Sequence, residues 1–121
     1  MRNYKTLNAW KIAMELVKEI YMLTKSYPRE EIYGLTSQTR RAAVSVPSNI
    51  AEGMGRNHKA DTVRFLHIAR GSLYELETLV AIAINTEMIQ LTEMKHVLDL
   101  VENTTKVLSG LISYTEKSKL K

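Results

Sequence analysis

The chain contains no cysteine, and only two prolines and five glycines punctuate its 121 residues. Without cysteine there is neither a disulfide framework nor thiolate chemistry, a usage that fits the cytoplasm. So little proline and glycine leaves few breakpoints. Long apolar runs are missing as well. The longest, Leu79 to Ile84, has six residues, far short of the roughly twenty that span a bilayer, so no membrane association is expected. The opening residues carry charge at Arg2, Lys5 and Lys11 and lack the continuous apolar stretch of a secretory signal.

Reactive groups that could converge are scarce. The histidines, His58, His67 and His96, fall in no Glu-x-x-His or His-x-x-x-His spacing, which argues against the di-metal carboxylate site of some helix bundles and against any metal. Ser45 and Ser48 have no nearby histidine to act as a base, and serines inside helices usually bond back to the preceding turn. Gly53-Met54-Gly55 lacks both the strand before and the Lys-Ser/Thr after a phosphate-binding loop. Glu52 is the one carboxylate placed for a direct chemical part. The expectation is a protein that is not an enzyme and takes no cofactor. There is no aromatic-rich strand platform for stacked bases, so a nucleic acid would be held mainly through phosphate.

What the chain does have is basic charge in one place. Its formal net charge is +4 and its pI about 9.4. Between Thr36 and Arg70 stand six basic residues, Arg40, Arg41, Arg56, Lys59, Arg64 and Arg70, against two acidic ones, Glu52 and Asp61. The whole net charge therefore sits in this stretch. Five of the six are arginine, whose planar fork suits bidentate phosphate contact. RNA or DNA is the expected polyanionic partner, with these six residues as the candidate nucleic-acid contacts.

The segment from Thr36 to Arg56, TSQTRRAAVSVPSNIAEGMGR, organises the rest. On a helix at about 100° per residue, Thr39, Ala42, Ala43, Val46, Ile50 and Met54 share one arc, with Leu35 and Gly53 beside it. This is the expected core face. An adjoining arc is polar, with Gln38, Arg41, Ser45, Ser48, Asn49 and Glu52. Arg40 lies about 100° from Arg41, so the two arginines cannot serve one partner alike. Gln38, Ser45, Asn49 and Glu52, together with Glu75 and Glu77, form either a polar network that fixes helix register or a ligand site. Pro47 predicts a kink near Val46.

Apolar periodicity predicts helices over about 7–25, 36–55, 59–85 and 92–115 in a single domain spanning 1–121. Thr36, Asn57 and Thr92 are the expected caps of the last three, and Glu30 and Glu31 fall in a short turn between the first two. In the third helix, Phe65, Leu66, Ala69, Leu73, Leu76, Val80 and Ala83 define a buried face. Gly71 and Ser72, facing Ala42, Ala43, Ser45 and Gly53, suggest a tight crossing of the second and third helices. Glu75 or Glu77 is expected to pair with Arg40 or Arg41 across it. The tail KSKLK, 117–121, is expected to fray.

Four such helices with connections of this length give an all-α, antiparallel four-helix bundle. The first helix carries two apolar stripes, Leu7, Trp10, Met14, Val17, Tyr21 and Thr24, then Ala9, Ile12, Leu16, Ile20 and Leu23. The fourth carries Met94, Val97, Leu98, Val101, Thr105, Leu108 and Ile112, with Leu100, Val107, Leu111 and Tyr114 alongside. Each combined arc spans about 200°, where one bundle needs little more than about 100°. The excess predicts self-association into a homo-oligomer.

The run QTRRAAVSVPSNIAEGMGR, Gln38 to Arg56, followed by FLHIARGSLYELETLV, Phe65 to Val80, resembles the bacterial four-helix-bundle proteins encoded in intervening sequences of 23S ribosomal RNA genes. That family is related to the accessory variability determinant of diversity-generating retroelements. The likeness extends to Leu7, Trp10-Lys11, Ala13 and the Tyr27-Pro28 joint. It departs at Tyr27, where phenylalanine is expected, and at His58, where serine is. The resemblance implies an up-down bundle assembled into a five-subunit ring, a basic surface for nucleic acid, no enzymatic activity and, in the retroelement branch, a reverse transcriptase as partner. The rival expectation is a protein-interaction scaffold whose arginines close ion pairs between subunits.

Overall fold

A computed structural model describes residues 3–119; Arg2 and the last two residues of the KSKLK tail lie outside that range. Among the described residues the fold is all-α, with helices α1 (Asn8–Thr24), α2 (Leu35–Met54), α3 (Lys59–Asn85) and α4 (Leu91–Lys117). Short 3-10 turns cover Tyr4–Thr6 and Arg29–Glu31. Each helix packs on its neighbours in sequence, and α1 closes the arrangement against α4. The core between them is lined by Ala13, Leu16 and Ile20 of α1, Ala43, Val46 and Ile50 of α2, Leu66, Leu73 and Val80 of α3, and Met94, Val101 and Leu108 of α4.

The helix ends are set by carboxylates and backbone rather than by the threonines and asparagine expected to cap them. Thr36 lies inside α2 and is buried. The Leu35 N–H instead donates to Glu31 Oε1 at 3.0 Å, which satisfies one of the donors every helix start leaves open. A Cβ on Gly34 would come within 2.8 Å of that oxygen, so glycine leaves room for the carboxylate to fold back. At α3 the cap position is His58, extended and without a side-chain bond, not Asn57. At α4 it is Gln90, not Thr92, and the Gln90 N–H donates to Glu93 Oε1 at 3.3 Å.

The end of α3 turns through a Schellman arrangement. Met88 N–H donates to Ala83 O at 2.9 Å and Glu87 N–H to Ile84 O at 3.0 Å. Glu87 takes the left-handed conformation there, φ 62°, a position more often given to glycine.

The α2–α3 crossing is close at one end. A Cβ on Gly53 would meet Phe65 Cβ at 2.9 Å and Thr62 O at 3.1 Å, and Thr62 Oγ1 donates to Gly53 O at 2.8 Å. Further along, the Ser45 and Ser72 hydroxyls bond at 2.8 Å. Gly71 plays no such part: it is exposed, with open space where a Cβ would stand. Pro47 is buried within α2, which runs through it from Leu35 to Met54.

On α1 the core takes Ala9, Ala13, Leu16, Ile20 and Thr24. Of the other stripe, Thr24 is buried, Leu7, Trp10 and Val17 are half-buried against the core, and Met14 and Tyr21 are left outside, 44% and 40% exposed. On α4, Leu100 joins the core while Tyr114 remains 75% exposed. Leu98 and Thr105, expected in the core, are half-buried, and so is Phe65 of α3.

Candidate nucleic-acid interface

The six basic residues of the central stretch do not act together. Arg40 turns toward α1, where its Nε donates to Thr24 Oγ1 at 2.8 Å and its guanidinium sits 4.7 Å from the centre of the Tyr21 ring. Lys59 reaches the end of α4, its Nζ donating to the Glu116 and Ser118 carbonyls at 3.1 and 2.9 Å. A cation there satisfies carbonyls that the last turn leaves without partners. Arg70 also crosses to α4, with Nη1 donating to Ser109 Oγ at 3.3 Å and Nη2 3.1 Å from His67 Nδ1. These three side chains tie helices to one another.

The remaining three face outward. Arg56 and Arg64 both lie over the ring of Phe65, each guanidinium carbon 4.6 Å from its centroid. Stacking of this kind is attractive through the ring quadrupole and limits where the guanidinium can go. Arg56 also pairs with Glu52 at 3.1 Å, one turn back on α2. Arg64 has no acidic partner among the described residues. Phe65 itself is positioned by Gly53, whose missing side chain lets α3 approach. Arg41 lines a groove of about 480 Å³ with Tyr33, Ser37, Gln38, Ala42 and Glu75.

The ion pair expected between Glu75 or Glu77 and Arg40 or Arg41 is not formed among the described residues. For Arg40 the reason is rotation about α2, whereas Arg41 lines a groove with Glu75 without coming within ion-pair distance of it. Arg40 points to the α1 flank, while α3 and its glutamates lie on the other. Of the expected polar network, Ser45 and Asn49 do join. Asn49 Nδ2 donates to Ser45 O at 2.8 Å and Ser45 Oγ at 2.9 Å, and Ser45 meets Ser72, which back-bonds to Ile68 O at 3.2 Å. Glu52 is held by Arg56, and Gln38, Glu75 and Glu77 stay exposed.

Three aromatic residues beside these arginines escaped the sequence reading in these roles: Tyr21 and Phe65 as platforms for guanidinium groups, and Tyr33, 96% exposed in the connection before α2. Tyr33 had a usable signal, since with Ile32 it forms a short apolar pair between Glu30-Glu31 and Gly34 in a connection. The platforms had little, because Arg40 and Arg56 reach Tyr21 and Phe65 from distant parts of the chain, and only Arg64 stands beside its ring in sequence. On the α1 flank, Tyr4, Trp10, Met14, Val17, Val44, Pro47, Ser48 and Ala51 line an open, mainly apolar groove of about 310 Å³. Tyr4 packs edge-on against Trp10, centroids 5.6 Å apart.

Among the described residues no group of three or more His, Asp or Glu is placed to hold a metal ion, and no helix is long and apolar enough to cross a membrane. Residues 5–110 match the family model described as 23S rRNA-intervening sequence protein. A similar solved structure comes from Bacteroides thetaiotaomicron VPI-5482, described as a protein with unknown function from the S23 ribosomal protein family. The likeness has a TM-score of 0.80 at 24% identity and covers 87% of this chain and 95% of that one. No curated protein matches.

Proposed function

The chain belongs to the 23S rRNA-intervening sequence protein family, and from that premise we propose a non-enzymatic, cytoplasmic homo-oligomer that holds RNA or DNA by its phosphates. In this reading the four helices run antiparallel, up and down, and copies join through the apolar α1 flank into a ring of about five subunits, the size the resemblance implies. Outward-facing Arg41, Arg56 and Arg64 are the contacts of each subunit, and the ring repeats them. The observation that carries the reading is the pair of guanidinium groups over Phe65, of which one alone is neutralised. Two restrained forks of this kind suit phosphate oxygens.

Titrating binding to a structured RNA against salt tests it. Phosphate contacts predict log affinity falling linearly with log salt, and the double variant Arg56→Ala/Arg64→Ala is expected to flatten the slope by about 2. The second reading, a protein-interaction scaffold or a reverse-transcriptase accessory subunit, is favoured by Arg40, Lys59 and Arg70, whose donors are spent inside the subunit. It predicts no RNA binding even at low salt.

A further inference from the structure

The groove beside Arg41 combines groups that the phosphate reading does not use. Tyr33 exposes nearly its whole ring, 96%, on the short connection between the Arg29–Glu31 turn and α2. An aromatic ring with both faces open is a stacking surface, and stacking accepts any base. Gln38 and Arg41, from the first two turns of α2, and Glu75 of α3 line the groove with Tyr33. Arg41 and Glu75 line the same cleft without closing an ion pair on each other or on any other described residue. At about 480 Å³ the cleft falls within the range of roughly 300–1,000 Å³ typical of small-molecule sites.

From these features we infer that the groove takes one unpaired guanine nucleotide of a single-stranded RNA. The base stacks on Tyr33. Its N1–H and N2–H groups donate side by side to the Glu75 carboxylate, which no cation occupies. The phosphate is met by Arg41, and Gln38 offers both a donor and an acceptor to the remaining edge. Adenine presents no such pair of adjacent donors, so the carboxylate supplies selection and the ring supplies affinity. This rests on the nucleic-acid reading above and adds a base-specific site to it.

The test uses the full chain, a short single-stranded RNA of alternating adenosine and guanosine, and the same strand with inosine for guanosine, which lacks the N2 donor. The expected result is about tenfold weaker binding by Tyr33→Ala, the size of one lost stack, with Tyr33→Phe close to wild type. Inosine weakens binding to the wild type several-fold, and Glu75→Ala removes the difference between the two strands. Tyr33 is almost wholly exposed and Glu75 is exposed, so both variants fold. Binding that ignores Tyr33→Ala and inosine yet weakens with salt overturns the guanine site and leaves the phosphate reading standing. No binding of either strand at low salt overturns both. If Tyr33→Ala instead lowers the mass in solution with RNA binding unchanged, Tyr33 belongs to a contact between copies and the guanine site is refuted.

Discussion

The two flanks of α2 are built on different principles. Toward α1 the contact is aromatic and aliphatic: Trp10, Met14 and Val17 meet Val44, Pro47 and Ala51 along a groove that stays open, and Arg40 is locked onto Tyr21 and Thr24. Toward α3 it is small and polar: Gly53 lies under Phe65, and Asn49, Ser45 and Ser72 form a chain of hydrogen bonds. Neighbouring arginines therefore have opposite roles. Arg40 holds the fold, whereas Arg41 stands in a groove facing solvent. A basic stretch is not a basic patch, and rotation about the helix decides which of its members can serve a partner.

The largest effect should come from filling the α3 flank. Gly53→Val puts atoms where Phe65 Cβ and the Thr62 carbonyl already stand, and overpacking of this kind is expected to cost about 3 kcal/mol in denaturant unfolding. Gly71→Ala, in open space, should gain about 0.5–1 kcal/mol from helix propensity. Equal effects of the two substitutions would break the contrast between a close crossing and a solvent-facing glycine.

Next comes the pair of adjacent arginines. Arg40→Ala loses a charged hydrogen bond and a cation–π contact and should cost about 1.5 kcal/mol. Arg41→Ala should change stability by less than about 0.5 kcal/mol while weakening RNA binding. The reverse order in thermal melts would mean that the flanks have been assigned the wrong way round.

A smaller effect separates the two tyrosines of the α1–α2 connection. Tyr33 is exposed, whereas Tyr27 is buried and its hydroxyl has no partner. Tyr27→Phe is expected to stabilise the fold by about 1 kcal/mol, since it removes an unsatisfied buried group. Burial also raises the Tyr27 pKa above its ordinary 10.0. Below that pH both states keep the proton and Tyr27 contributes no slope. As pH rises past about 10 the unfolded chain ionises first, so stability falls. Melts across that range should show a steeper loss for wild type than for Tyr27→Phe, and parallel curves would contradict the assignment.

Much of this was legible in the sequence because it depends on local period. Thr39, Ala42, Ala43, Val46, Ile50 and Met54 are buried together, as a spacing of about 3.6 residues requires. Of the surplus apolar stripe expected on α1, Met14 and Tyr21 are exposed, while Leu7, Trp10 and Val17 pack partly against the core. What periodicity misses is anything set by a group that returns from elsewhere. Glu31 folds back onto the start of α2, and Lys59 reaches the end of α4 across 57 and 59 residues of chain. Gly71 looked like Gly53 because both sit among small residues, and only the actual crossing point tells them apart. The resemblance placed phenylalanine at position 27 and serine at 58. Both fit the local physics, since Tyr27 leaves its hydroxyl idle and His58 leaves α3 without a side-chain cap.

Mass in solution tests the central claim most directly, because the ring proposed to repeat the outward arginines depends on the open α1 flank bringing copies together. Light scattering of the purified protein at high concentration should give a multiple of 13.8 kDa, and Met14→Glu on that flank should return it to one chain without unfolding it. A wild-type protein that remains at 13.8 kDa under those conditions would contradict the account.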